Sequence, residues 1–184
     1  MKRAEKFFAV FAKILGILSI TFLFLLVCFV LFNVCARYFF HYGNVALQEL
    51  EWHFFACMFL FGMSYTLQQD AHVRVDVIYD SLSPRKKAYI NIFGVIFFLL
   101  PFALLIVCIS PDFVIEAYES GETSADPGGL AYRWIIKSTI PICFGFLIIS
   151  AIGFIVQNIN ALIQIKKTGF AEFFVNSQNS AKGV

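Results

Sequence analysis

Residues 14–32 run for 19 positions without a charged side chain. Crossing about 30 Å of hydrocarbon takes roughly 20 helical residues at 1.5 Å each. Residues 89–109 and 138–156 are predominantly apolar runs of the same order, with Pro101 and Pro141 inside them, which membrane helices tolerate when neighbouring groups satisfy the freed carbonyls. A fourth apolar run, 54–67, is only 14 residues long. If it crosses, polar neighbours enter with it: Glu49 and Glu51 on one flank, Gln68, Gln69 and Asp70 on the other. Backbone inside a bilayer must satisfy its own hydrogen bonds, and for isolated runs of this length that means helix. The fold expected is therefore an all-α integral membrane protein with four transmembrane helices, approximately 14–34, 48–68, 88–109 and 136–157, plus short interfacial helices.

Composition agrees with that reading. Hydrophobic residues make up 60% of the chain and charged ones 14%, with 24 phenylalanines among 184 residues, whereas a soluble domain averages about 45–50% apolar and about a quarter charged. A net charge of +2 does not suggest nucleic acid as a partner. The five cysteines form no CxxC pair and lie in or beside apolar runs, so they read as small buried apolar residues. Lys2, Arg3 and Lys6 precede the first run as they would in a signal peptide, but the run is too long for one and no small-x-small cleavage site follows. It reads as a retained span.

Lysines and arginines set the expected orientation. With four spans, the N-terminus, the loop 69–87 and the tail 158–184 share one side, and together carry eleven of them. The other side carries three: Arg37, Arg133 and Lys137. The positive-inside rule makes the first side cytoplasmic, with both termini. The loop 110–135 then faces outward, with Asp112, Glu116, Glu119, Glu122 and Asp126 ahead of Arg133.

That loop contains "SGETSADPGGLAYRWIIKS", residues 120–138. A phosphate-binding P-loop would need a lysine followed by Ser or Thr directly after its glycines, and this stretch lacks that order. Asp126-Pro127-Gly128-Gly129 reads as a turn into the fourth helix, and Arg133 and Lys137 fall on one helical face. Two readings stand: a solvated turn with snorkelling basic residues, or a docking surface. Arg37, Glu49 and Glu51 share the outer boundary. Ionisable groups cost roughly 2.5–3.5 kcal/mol each at the centre of a membrane helix, so an ion pair among them is expected, within the chain or with a partner subunit. Glu49 and His53 also share a face at i, i+4, but no third ligand stands nearby for a metal. On the inner side, residues 72–80 alternate charged with apolar side chains, as a strand or a segment laid on another surface would. Ser83-Pro84 has the form of an N-cap with proline at the first helical position. The stretches 2–13 and 158–177 mix basic with apolar residues and suit helices lying along the inner surface.

Several function classes are excluded by what is missing. Paired outer cysteines for disulfide exchange are absent, as are histidine pairs for two haems and any Ser/His/Asp or Cys/His set at one membrane depth. No catalytic residue, metal site or cofactor is expected. A self-sufficient, homo-oligomeric small transporter is the alternative, but it would need a charged or broken-helix site near the midplane. Here the ionisable residues sit at the boundaries and the two halves show no repeat.

Three segments in order carry a family resemblance: "NVCARYFF" after the first span, "LQELEWHFFACMFLFGMSYTLQQDAHVRVDVIYDSLSPR" across the second, and "GETSADPGGLAYRWIIKSTIPI" into the fourth. Over roughly residues 10–160 the chain resembles the small permease subunit of tripartite ATP-independent periplasmic (TRAP) transporters, the DctQ-like family. "ELEWH", "HVRVDV" and "DPGGLAYRW" look most like the branch associated with 2-oxo acid, mannitol or chloroaromatic-type substrates. The resemblance implies one DctQ-like membrane domain over 1–184 in a bacterial inner membrane. Its partners would be a large DctM-like permease with the substrate and sodium sites, and a DctP-like periplasmic binding protein that delivers an organic acid for secondary symport. Arg37, Glu49, Glu51, His53, His72, Arg74 and Asp76 become expected contacts with the large subunit or polar contacts within the membrane. Asp126, Gly128, Gly129, Tyr132, Arg133 and Lys137 become an expected periplasmic rim.

Overall fold

The computed structural model describes residues 2–70, 79 and 82–181, with side chains described over 3–70, 79 and 82–166. His72, Arg74 and Asp76, with most of the alternating segment, lie outside the described residues. Among the described residues there is no strand. Helix α1 spans Lys2–Phe40 and α2 Val45–Gln68. Helix α3, Pro84–Gly94, runs through a π-helical turn at Val95–Leu99 into α4, Leu100–Glu119, and α5 covers Trp134–Ala181.

Local chemistry ends each helix where it ends. His41 takes the left-handed conformation at φ 52° just past α1, and Asn44 opens α2, its side-chain oxygen accepting the Ala46 N–H at 2.9 Å. Asp70 closes α2 at φ 56°, with its N–H on the Leu67 carbonyl at 3.1 Å. Ser83 and Pro84 begin α3 as the sequence suggests, although Ser83 contributes its carbonyl, to the Lys87 N–H at 3.0 Å, and not its hydroxyl.

Pro101 explains the π turn. It has no N–H to donate, and its ring would crowd the carbonyl four residues back. Directly before it the helix widens: the Leu100 N–H reaches the Val95 carbonyl, five residues back instead of four. The chain thus keeps a continuous helical path through the proline. Pro111 and Pro141 sit inside α4 and α5.

The helices outrun the spans expected from the sequence. Residues 2–13 belong to α1, and α5 continues from 134 to 181, so neither forms a separate surface helix. Extending a formed helix avoids a second nucleation, and the Asn160 amide donates to Glu5 Oε1 at 2.6 Å, tying the two extensions together. The loop expected over 110–135 likewise shrinks to 120–133, because α4 continues to Glu119.

Helix α5 packs against α1, α2, α3 and α4, while α1 lies mainly along α2. In its most apolar stretch, 33% of α5 is buried, against 11% for α1 and for the α3–α4 helix, which makes α5 the centre. Leu67, Val95, Ala103, Leu147, Ala151 and Phe154 form the core where α2, the π turn and α4 meet α5. Among the described residues, three helices are long and apolar enough to cross a membrane: Arg3–Phe40, Pro84–Glu119 and Trp134–Lys166. Helix α2 is not among them, because Glu49, Glu51 and His53 occupy its first turns. Phe24 and Leu31 on α1, with Phe98 and Ile109 on the α3–α4 helix, are exposed. Cys28, Cys35 and Cys108 are exposed too, contrary to the sequence expectation, and only Cys57 and Cys143 are buried. An apolar run cannot by itself tell which of its faces meets another helix.

With α3–α4 taken as one, helices consecutive in the chain run in opposite directions, so α2 and α5 start at the same end and lie parallel. The connections 41–44 and 120–133 share one end, joined through Glu49. At the other end Tyr79 donates to Asn91 Oδ1 at 3.0 Å, Asn91 to Asn158 Oδ1 at 3.1 Å, and Asn158 to the Phe154 carbonyl at 2.8 Å.

Close packing depends on particular glycines. A methyl at Gly153 would lie 2.6 Å from the Phe8 ring and one at Gly16 2.7 Å from the Tyr65 ring, whereas Gly94 and Gly145 face open space. Gly153→Ala is expected to lower stability in mild detergent by about 1–3 kcal/mol through overpacking. Gly94→Ala is expected to be neutral or to add up to about 1 kcal/mol from helix propensity. Thermal unfolding of the two variants checks this, and equal shifts would contradict the α1–α5 contact.

Candidate functional site

The end that carries residues 41–44 and 120–133 holds most of the residues singled out by sequence. Two carboxylates organise it. Glu49, in the second turn of α2, accepts the Ser124 hydroxyl on Oε1 and the Leu130 N–H on Oε2, the latter at 2.6 Å. Both oxygens therefore hold the loop from the side. Within the loop, Glu122 accepts from Lys137 Nζ and lies 3.5 Å from Arg133 Nε. Arg133 and Lys137 do share a face, as their spacing predicts, and that face turns back onto the loop. The Lys137 ammonium also sits 3.8 Å from the centroid of the Phe113 ring, linking α5 to α4.

Backbone bonds complete the loop. The Ser124 N–H donates to the Leu130 carbonyl at 3.0 Å, the Arg133 N–H to the Glu122 carbonyl at 3.2 Å, and the Gly129 N–H to the Asp126 carbonyl at 3.0 Å. Asp126 through Gly129 form the turn the sequence predicts, with Gly128 at φ 82°. Gly129 is needed for space: a methyl there would come within 2.4 Å of Ser124 and 2.9 Å of Glu49 Oε2. Tyr132 is held at φ 61° with its ring exposed. That conformation costs an ordinary residue about 1–3 kcal/mol. The bonds on either side of Tyr132 keep it there, presenting an aromatic ring outward from a stiff loop.

Beneath the loop, His53, Phe54, Cys57, Leu130, Tyr132 and Ile136 line part of an apolar pocket of about 300 Å³. No group of three His, Cys, Asp or Glu side chains suited to a metal ion occurs among the described residues. Beside the loop, α1 and α2 enclose a polar cleft of about 400 Å³ lined by Asn33, Val34, Arg37, Tyr38, Gln48, Glu51 and Trp52. Arg37 and Glu51 share this cleft without an ion pair between them. Glu51 instead accepts the Asn33 amide at 2.9 Å.

A comparison with protein families matches residues 26–161 to "Tripartite ATP-independent periplasmic transporters, DctQ component". The chain belongs to the DctQ family. As a DctQ protein it is a transporter component, the small subunit of a TRAP transporter, with a multi-pass membrane character carried by its long apolar helices. No curated protein matches the chain closely enough to count as a relative.

In this DctQ protein the structure brings Glu49, Gly129 and the Arg133–Lys137 face into one assembly and places Arg37 with Glu51 in another. Sequence reasoning missed Ser124, Leu130 and Asn33 as the partners of the two glutamates. Leu130 was invisible because its contribution is a backbone N–H. Asn33 was legible as an amide at the end of an apolar run. Glu49→Ala is expected to leave the Leu130 N–H without its acceptor, costing about 1–3 kcal/mol locally. Amide exchange over 120–133 should then accelerate while the α4–α5 contact stays protected. Unchanged exchange in the loop would show that Glu49 does not hold it.

Proposed function

We propose that this DctQ protein is the bracing subunit of a bacterial inner-membrane TRAP transporter, bound to a large DctM-like permease that imports an organic acid. In this reading α2 is the fourth membrane span, both termini are cytoplasmic, and the end bearing residues 41–44 and 120–133 faces the periplasm. The match to the DctQ component over residues 26–161 is the observation that carries the reading.

Two features of the chain support a bracing role. Its ionisable groups gather at the helix ends, leaving no charged site along the apolar middles for a solute or ion. Its helices also turn exposed apolar faces outward from α5, as suits a subunit lying between lipid and a larger partner. The large subunit would carry the substrate and sodium sites and move, while this chain widens the stationary part against bilayer strain. The clamped loop, with Tyr132 displayed on it, would form part of the rim that receives a DctP-like binding protein. The solute would be chosen by those two partners, with the 2-oxo acid, mannitol or chloroaromatic-type branch the class suggested by the sequence.

Affinity purification from membranes, with and without a co-expressed large permease, tests the assignment. A stable one-to-one complex by mass is the expected result. A homo-oligomer that ignores the permease would overturn it in favour of a self-sufficient transporter.

A further inference from the structure

The cleft between α1 and α2 keeps polar groups unused. Asn33 is only 8% exposed, and its Oδ1 is buried with no hydrogen-bond donor while its amide is taken by Glu51. Arg37, on the same wall, makes no hydrogen bond or ion pair among the described residues. A buried acceptor without a donor costs about 1–3 kcal/mol, so the site favours a ligand that brings an N–H. The Glu51 carboxylate beside it favours a cation, and Arg37 favours an anion matching its planar fork.

These demands describe one zwitterion. A primary ammonium supplies three N–H donors for Asn33 Oδ1 and Glu51, and a phosphate a short linker away supplies acceptors for Arg37. The surroundings indicate where it comes from. Tyr38 and Trp52 flank the cleft with their rings exposed, and such side chains concentrate at headgroup level. Further along α1, Val27, Val30 and Leu31 are exposed apolar surface against which acyl chains can lie. We propose that this cleft binds the headgroup of a zwitterionic phospholipid bearing a primary ammonium, with phosphate on Arg37 and ammonium on Glu51 and Asn33. The proposal rests on the reading that α1 and α2 cross the membrane with this end at a headgroup layer.

The test uses the full chain, delipidated in mild detergent and titrated with phosphatidylethanolamine, phosphatidylcholine and phosphatidylglycerol of identical acyl chains, with bound lipid counted by native mass spectrometry. Choline carries the same charge but no N–H, so the unaltered chain is expected to hold phosphatidylethanolamine about tenfold more tightly than phosphatidylcholine. Glu51→Gln should erase most of that preference, and Arg37→Gln should weaken both zwitterionic lipids alike. Equal affinity for all three lipids, or a preference that survives Glu51→Gln, overturns the proposal. The lipid comparison needs no variant, so misfolding of a variant does not rescue it. His41→Cys, probed with a membrane-impermeant maleimide on intact cells, separates the two levels. Labelling from outside without a headgroup preference overturns the lipid site alone. Labelling only after lysis overturns the outward orientation of this end, and the lipid titration then decides the site at the inner leaflet.

Discussion

Nearly every face of this chain that does not touch α5 is apolar, and water is a poor solvent for such faces. Phe24 on α1 and Phe98 on the α3–α4 helix are each about two-thirds exposed. A soluble monomer rarely shows contiguous apolar surface on that scale. In hydrocarbon the same surface costs nothing, and the requirement shifts to the backbone, which must satisfy every N–H and carbonyl within its own helix. That constraint accounts for the long uninterrupted helices and for the π turn that carries α3 into α4 past Pro101. It also accounts for cohesion by close approach at Gly16, Gly62 and Gly153, since lipid offers no hydrophobic drive for helices to associate.

Polar side chains gather at the two ends and do different work there. At the end containing both termini-proximal extensions, neutral amides pass a hydrogen-bond chain from Tyr79 through Asn91 to Asn158. At the opposite end carboxylates take over. Glu49 holds the 120–133 loop to α2, and Glu122 holds it to α5, so one loop fastens two helix pairs. A strained Tyr132 persists because those bonds over-determine it. Stiffness of this kind suits a stationary surface better than a moving gate.

The sequence made the helical class, the antiparallel order and the Asp126–Gly129 turn legible, because apolar run length and turn chemistry are local signals. Arg133 and Lys137 were likewise legible as one face from their spacing alone. The partners of that face were not, since Glu122 reaches them through the fold of the loop. Glu49 was legible as a boundary carboxylate in need of a partner, within the chain or in another subunit. Its oxygens are occupied by a serine and a backbone N–H more than seventy residues away in sequence. Helix ends were misjudged: the mix of basic and apolar residues at 2–13 and 158–177 suggested separate surface helices, whereas both stretches belong to the long helices α1 and α5. The family resemblance came from the order of three particular segments, which apolar periodicity does not encode, and the match over residues 26–161 bears it out.

The proposed bracing role is defined by what the chain does not do alone. Uptake into proteoliposomes measures this most directly, comparing the chain by itself with the chain joined to the large permease and its binding protein, each under an inward sodium gradient. The account predicts no uptake by the chain alone, uptake by the complete set, and loss of that uptake when the chain is left out. Solute accumulation by the chain alone would contradict it.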